Sequence, residues 1–178
     1  MKKYFIIYKP FLVFLGTFFL VYIVLTILYQ AYLASFGLNQ IDSITTMVAR
    51  NSERILQLFG ADAKAVEAKS SLFIGLMYKQ KYVARIIEGC NAMSVIILFV
   101  AFIVAFSGKL KPTLLYVFGG SIFIYILNVL RIVLLCVLLY RFPEQEHFLH
   151  GVLFPLFIYS VVFILWVIWV NKFSKYAK

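Results

Sequence analysis

The stretch RIIEGCNAMSVIILFV, from Arg85 to Val100, changes character near its centre. Its first half holds charged and polar residues, among them Glu88, Cys90 and Asn91, whereas its second half is a continuous apolar run. A run of this kind is typical of a helix that enters a membrane. The stretch therefore predicts a boundary between an extramembrane segment and a membrane span, with a cysteine at that boundary.

The composition of the whole chain also favours a membrane protein. Of its 178 residues, 64% are hydrophobic, 19% are aromatic and 13% are charged, whereas soluble domains have about 25% charged residues. The two cysteines, Cys90 and Cys136, are too few for a disulfide scaffold. Cys136 lies in the apolar run RIVLLCVLLY, where a free cysteine is typically a small hydrophobe. These features exclude a soluble disulfide-rich domain and predict a polytopic membrane protein.

Four apolar segments predict membrane-spanning helices, for which about 20 residues are needed. They cover residues 10–33, 91–106, 112–140 and 151–170. Ala31 and Ala34 lack the spacing of a signal-peptidase site, so the first segment is expected to be retained as an anchor. We therefore expect one membrane-embedded domain over residues 1–178, built as an all-α bundle of about four transmembrane helices.

Residues 34–89 form the one sizeable segment that we expect outside the membrane, as a small cap. A mixed-charge part from Ile41 to Phe59 predicts a helix. The runs SLFIGLMY and YVARIIEG follow, separated by residues 79–81. Two such runs around a short polar turn predict a β-hairpin, which would lead directly into Cys90.

The distribution of charge predicts the orientation of the spans. Basic residues without acids precede the first span, separate the second from the third, and follow the fourth. These residues are Lys2, Lys3, Lys9, Lys109, Lys111, Lys172, Lys175 and Lys178. Segments of this kind face the cytoplasm. We therefore expect both termini in the cytoplasm and the cap, with all 7 acidic residues of the chain, on the opposite side.

This topology predicts that three chemically capable side chains lie at one depth. Cys90 begins the second predicted span at its outer end, and His150 stands where the loop RFPEQEH becomes the fourth. Arg131 follows Pro112 by 19 residues, which is about 28 Å along a helix and close to the ~30 Å thickness of the hydrocarbon layer. Cys90, Arg131 and His150 are therefore expected to meet at the outer leaflet.

Each of these residues also has a purely structural interpretation. An arginine in a transmembrane helix costs about 2.5–3.5 kcal/mol on insertion scales, so Arg131 needs a partner. Asn128 lies on the same helix face and would either hold the guanidinium or join two helices. A lone cysteine is usually inert, but the positive end of a helix and a nearby arginine would stabilise a Cys90 thiolate. His147 and His150 would be interfacial residues.

The order of three motifs resembles a known family. EGCNA at a helix start, NVLR in the next span and HGVLFP opening the last span are similar to the exosortase/archaeosortase family of membrane-embedded cysteine transpeptidases. The chain most resembles the flavobacterial F-type branch, over about residues 82–169. The family's invariant Cys, its N-x-x-R pair and its His correspond here to Cys90, to Asn128 with Arg131, and to His150.

The resemblance implies acyl transfer without a cofactor, a metal or a nucleic-acid partner. Cys90 would attack a peptide carbonyl, His150 would act as general acid and base, and Arg131 would stabilise the oxyanion. The implied substrates are exported proteins with a carboxy-terminal motif, a transmembrane helix and a basic tail. The site would lie on the extracytoplasmic face of the bacterial inner (plasma) membrane, among membrane lipid. Candidate supporting residues are Asn128, Glu88, Asn91 and His147.

Two other classes of function stay open. Ligand types that a metal site uses are present in Cys90, His147, His150, Glu144 and Glu146. However, HFLH lacks a second ligand pair, and Arg131 would repel a cation. A non-catalytic assembly subunit is the other alternative, in which Arg131 pairs with Glu88 and Cys90 is incidental. The metal content of the purified protein and the thiol reactivity of Cys90 would distinguish a transpeptidase, a metal site and an assembly subunit.

Overall fold

The computed structural model describes residues 2–37, 40–67, 73–106 and 108–174. Helices dominate, and a small sheet lies between the second and third of them. In chain order the elements are α1 (Lys2–Ala34), α2 (Ser43–Leu58), β1 (Ala63–Glu67), β2 (Ile74–Tyr78), β3 (Lys81–Ile86), α3 (Met93–Ala105), α4 (Leu110–Arg141), α5 (Glu146–Phe148) and α6 (Phe154–Lys172).

Three helical segments of the described chain are long and apolar enough to cross a membrane: Tyr8–Ala34, Leu110–Arg141 and Pro143–Lys172. The remaining apolar helix, α3, has 13 residues, or about 20 Å at ~1.5 Å per residue, which is shorter than a bilayer core. The predicted fold class, an all-α membrane bundle with a small cap, is confirmed.

Helix α3 lies at the centre of the bundle, against α1, α4 and α6. Its Phe99 is fully buried and faces Gly120 of α4, where a Cβ atom would lie 2.4 Å from the ring. A glycine at this position therefore allows the two helices to approach closely, as small residues do in membrane bundles. Just after the carboxy-terminal end of α3, the carbonyl oxygen of Phe106 accepts a hydrogen bond of 3.0 Å from the indole of Trp169. This bond ties α6 to the chain between α3 and α4.

Helix α2 forms the first part of the cap, as predicted. It begins after Asp42, whose Oδ1 accepts hydrogen bonds of 2.9 Å from the backbone N–H groups of Ile44 and Thr45. This is the arrangement of a helix N-cap. The apolar face of α2, which includes the fully buried Val48, packs against α4 and β1.

The predicted β-hairpin is also confirmed, and the structure adds a third strand to it. The sheet is antiparallel in the order β1-β2-β3. The turn between β2 and β3 consists of Lys79 and Gln80, which both have positive φ values, 49° and 63°. A two-residue hairpin turn requires such a backbone. Strand β1, which the sequence did not predict, is held to α2 by Glu53, whose Oε1 accepts from the N–H of Ala65 at 3.2 Å.

The cap packs against one side of the last third of helix α4. At 32 residues this helix is about 48 Å long, well beyond the ~30 Å of a hydrocarbon layer. Beyond Arg131, the buried side chains of Ile132 and Cys136 belong to the same apolar core as Leu76 and Ile86 of the sheet. The apolar run that follows Arg131 is therefore explained by the cap as well as by the membrane.

Candidate active site

Strand β3 brings the chain back along α4 to Cys90. At the start of β3, the ammonium of Lys81 lies 5.7 Å from the ring centre of Tyr140. At the other end, the carbonyl oxygen of Cys90 accepts a hydrogen bond from the side chain of Asn128. Tyr140 and Asn128 are 12 residues apart, which corresponds to about 18 Å of helix. The cysteine therefore lies at the deep end of the cap, next to the middle part of α4.

Cys90 ends a single 3-10 turn, Glu88–Cys90, and does not belong to helix α3. Its N–H donates to the carbonyl oxygen of Ile87 at 2.8 Å, and its side chain is 8% exposed. The chain then turns at Ala92, which has a φ of 64°, before the helix begins at Met93. The expectation that Cys90 begins the helix was wrong. The positive end of the helix lies three residues further along the chain.

Asn91 fixes this turn from the other side. Its Nδ2 donates to the hydroxyl of Tyr29 at 2.7 Å and to Oγ1 of Thr45 at 3.1 Å. Its Oδ1 accepts from the N–H of Met93 at 3.0 Å. The buried amide thus connects α1, α2 and the start of α3. Asn91 therefore holds in place the turn that carries the neighbouring cysteine.

Asn128 connects the cysteine turn with the arginine of α4. It is 1% exposed, and its Nδ2 donates to the carbonyl oxygen of Cys90 at 2.7 Å. Its Oδ1 accepts from Nη1 of Arg131 at 3.4 Å. The sequence predicts that Asn128 either holds the guanidinium or joins two helices. Its side chain contacts the guanidinium, and its second partner is the Cys90 turn and not another membrane helix.

The guanidinium of Arg131 is oriented by Asn128 and has donor capacity left over. Its Nε is buried, and within the described part of the chain it has no hydrogen-bond partner. Cys90 and Tyr159 of α6 lie near Arg131. Buried donors are nearly always paired. The unpaired Nε therefore makes Arg131 a candidate functional residue.

A cleft of about 110 Å³ brings Cys90 and His150 together. Its lining residues are Ala84, Arg85, Ile87, Cys90, Leu135, Leu139, Glu146 and His150. His150 lies in the π-helical turn Leu149–Leu153, immediately before α6. It interacts electrostatically with Arg131, Glu146 and Arg85. Residues from three distant parts of the chain thus surround one small cavity.

The other candidate residues lie elsewhere. His147 is exposed and does not line the cleft. Glu88 makes no ion pair with Arg131. Over the described residues the salt bridges join Arg50 to Glu53 and Glu67. The same residues contain no group of three His, Cys, Asp or Glu side chains that could hold a metal ion.

The sequence did not indicate that Arg85 lines the cleft, that Glu146 lies near His150, or that Tyr159 lies near Arg131. Arg85 lies on β3, five residues before Cys90. The predicted hairpin, which leads directly into Cys90, could therefore have indicated that Arg85 lies close to the cysteine. Glu146 shares a short helical loop with His150, and we considered it only as a metal ligand. Nothing in the sequence indicates that Tyr159 of α6 approaches Arg131, because that contact depends on how two helices pack.

The family model described as Transmembrane exosortase matches residues 5–168 of the chain. The chain belongs to the transmembrane exosortase family. The match extends from α1 into α6 and includes Cys90, Asn128, Arg131 and His150. The family resemblance read from the sequence is therefore confirmed, whereas the likeness to the flavobacterial F-type branch stays a prediction. Searches of the curated proteins and of the solved structures found no match to this exosortase.

Proposed function

We propose that this exosortase is a membrane-embedded cysteine transpeptidase that removes the carboxy-terminal sorting tail of exported proteins. One observation carries the proposal. Cys90, Arg131 and His150 come from separate parts of the chain, yet Cys90 and His150 line one cleft, and Asn128 bonds both to the carbonyl oxygen of Cys90 and to the guanidinium of Arg131. This is the group of side chains that covalent acyl transfer requires: a nucleophile, an acid/base and an oxyanion donor.

In the first step, His150 accepts the proton of the Cys90 thiol, and Sγ bonds to the carbonyl carbon of the scissile peptide bond. The C–N bond then breaks, and the leaving amine takes that proton from His150. In the second step, His150 accepts a proton from the acceptor nucleophile, which attacks the thioester, and passes this proton to the departing sulfur of Cys90. The exported protein leaves on the acceptor, or as a free acid if the acceptor is water.

Arg131 would stabilise the negative charge that develops on the carbonyl oxygen in both steps. Its unpartnered Nε supports this role, because a donor already oriented by Asn128 needs little reorganisation when the charge appears. Deleting single oxyanion donors in other enzymes costs about 10²–10³ in rate.

The orientation of the chain completes the proposal. The basic residues in the first part of α1 and around the connection between α3 and α4 favour a cytoplasmic position for both termini, in the inner membrane of a bacterium. The cap and the cleft would then face the extracytoplasmic side. A substrate held by its own transmembrane helix and basic tail would present the bond just outside that helix at the depth of Cys90.

The test compares Cys90→Ala with the wild type in the native host. We expect exported proteins to keep their tails and to change in size and anchoring in Cys90→Ala. A Cys136→Ala variant is the control, since it removes the second thiol from the cap core, away from the cleft. Both variants are first compared for their level in the membrane. Normal tail removal by Cys90→Ala would refute the proposal and would favour a non-catalytic assembly subunit.

A further inference from the structure

Strand β3 forms an open edge of the cap sheet. In the described chain it pairs with β2 on one side, and no strand pairs with its other side. An edge strand presents unpaired N–H and C=O groups, to which an extended peptide can add as a further strand. The chain continues from this edge, through Ile87 and the 3-10 turn, to Cys90.

Two adjoining cavities follow the β3 segment toward Cys90. The outer cavity, of about 180 Å³, is lined by Lys81, Tyr82 and Val83 of β3. The inner one is the cleft of about 110 Å³ described above. Leu139 and Glu146 line both cavities, so together they make one groove. The wall facing β3 consists of the end of α4 and the segment that leads to His150.

The groove carries unmatched positive charge close to the cysteine. Arg85 lines the inner cavity and is exposed, and it forms no ion pair with any residue that the structure describes. Lys81 adds a second positive charge in the outer cavity. Glu146 is the one acidic residue among those lining the two cavities. The charge therefore favours an acidic side chain on the occupant.

We propose that this groove binds the substrate segment just before the scissile bond, as an extended strand added to the free edge of β3, with an acidic side chain against Arg85. The proposal rests on the proposed function, since it takes Cys90 as the attacking residue. Six residues of β3 extend about 20 Å at ~3.3 Å per residue, which accommodates about five or six substrate residues.

The position of the two ends of the groove gives the direction of the bound peptide. Lys81 lies beside Tyr140, at the outer end of α4, whereas Cys90 lies beside Asn128. The substrate's own membrane helix follows the cleaved bond, so the segment before that bond extends away from the membrane toward Lys81. Its amino-terminal end is then at Lys81, and the added strand is parallel to β3.

Photo-crosslinking in the native host tests the groove. A benzophenone residue replaces Tyr82 in the groove or Phe59 at the end of α2 as the control, since both are exposed aromatic side chains. Both proteins carry Cys90→Ala, so that uncut substrate is retained. From position 82 we expect crosslinks to an exported chain, within about ten residues before its last apolar span, given the length of the groove. Position 59 should give none.

Charge reversal tests the acidic partner. Arg85→Glu should slow tail removal by about tenfold or more, because a like charge then faces the substrate. Lys64→Glu makes the same kind of change on the opposite edge strand, β1, and should process normally. Equal rates for wild type and Arg85→Glu would overturn the assignment of the acidic side chain.

The results also separate the groove from the proposed function. Three results would overturn the groove and leave the role of Cys90 intact. These are crosslinks from position 82 within the apolar span of the substrate, equally frequent crosslinks from position 59, and no crosslinks from position 82 while tails stay uncut. Complete tail removal in the Cys90→Ala host would instead overturn the proposed function, and the groove proposal with it.

Discussion

The side-chain amide of Asn128 donates a hydrogen bond of 2.7 Å to the backbone carbonyl oxygen of Cys90. This bond joins the turn that carries Cys90 to the helix that carries Arg131. Because the same amide also accepts from the guanidinium of Arg131, the positions of the two residues are coupled. An asparagine in the middle of a transmembrane helix is thus explained by what it holds in place.

Replacing Asn128 with Leu should therefore damage both stability and activity. The change leaves the Cys90 carbonyl oxygen buried without its donor, which typically costs about 1–3 kcal/mol, and it frees the guanidinium. We expect a lower unfolding temperature in detergent and slow tail removal per folded molecule. Asn51→Leu is the matched control, because it removes a hydrogen bond of 2.8 Å from a side-chain amide to the hydroxyl of Tyr125, away from the cleft. If both variants process at the same rate, Asn128 is only structural.

Arg131→Lys separates the charge of Arg131 from its donor geometry. Lysine keeps the positive charge but lacks the planar fork of N–H groups, including Nε. The variant should insert at normal levels and remove tails about 10²–10³ times more slowly, as expected for a lost oxyanion donor. Rates are compared with those of Arg50→Lys, an exposed arginine on α2. A near-normal rate would mean that Arg131 contributes charge alone.

The two histidines should behave differently, because His150 lines the cleft and His147 does not. His150→Ala should abolish turnover while the protein stays in the membrane, whereas His147→Ala should keep most activity. Since expulsion of the amine needs a proton donor, no thioester should accumulate in His150→Ala. Mass spectrometry of the trapped protein detects that intermediate. A thioester in this variant would limit His150 to the second step, and the opposite pattern of activities would make His147 the acid/base.

Thiol labelling tests which side of the membrane Cys90 faces and whether a reagent can reach it. Cys90 lines an open cleft, whereas Cys136 is fully buried in the cap core. A membrane-impermeant maleimide added to spheroplasts, which lack the outer membrane and expose the extracytoplasmic face, should label the wild type and Cys136→Ala but not Cys90→Ala. Labelling that requires permeabilisation of the inner membrane would place the cleft on the cytoplasmic side.

Two adjacent glycines of α4 give a test of the packing. A Cβ atom at Gly120 would lie 2.4 Å from Phe99, whereas a Cβ atom at Gly119 would meet nothing within 4 Å. Gly120→Ala should destabilise the bundle by about 1–3 kcal/mol, the usual cost of overpacking. Gly119→Ala should be neutral or slightly stabilising. Thermal unfolding in detergent measures both, and equal stability of the two variants would contradict the close contact of α3 and α4.

Local patterns in the sequence determined much of the fold. Long apolar runs predicted the bundle because a helix that crosses lipid needs an unbroken apolar segment. Asp42 lies just before a mixed apolar and charged segment, and it caps a helix there. Two short runs around a polar turn predicted the β2–β3 hairpin. The motifs around Cys90, Arg131 and His150 indicated the family by their resemblance to those of its members.

The tertiary structure decided which of these segments meet. Strand β1 has five residues and forms only because α2 and β2 lie beside it, so no local pattern predicts it. The start of α3 depends on Asn91, which bonds to Tyr29 and Thr45 from distant parts of the chain. The groove beside Arg85 and Glu146 exists only once β3 lies along α4. Such contacts form between residues far apart in sequence, and their free energy depends on packing and burial that hydrophobic periodicity does not encode.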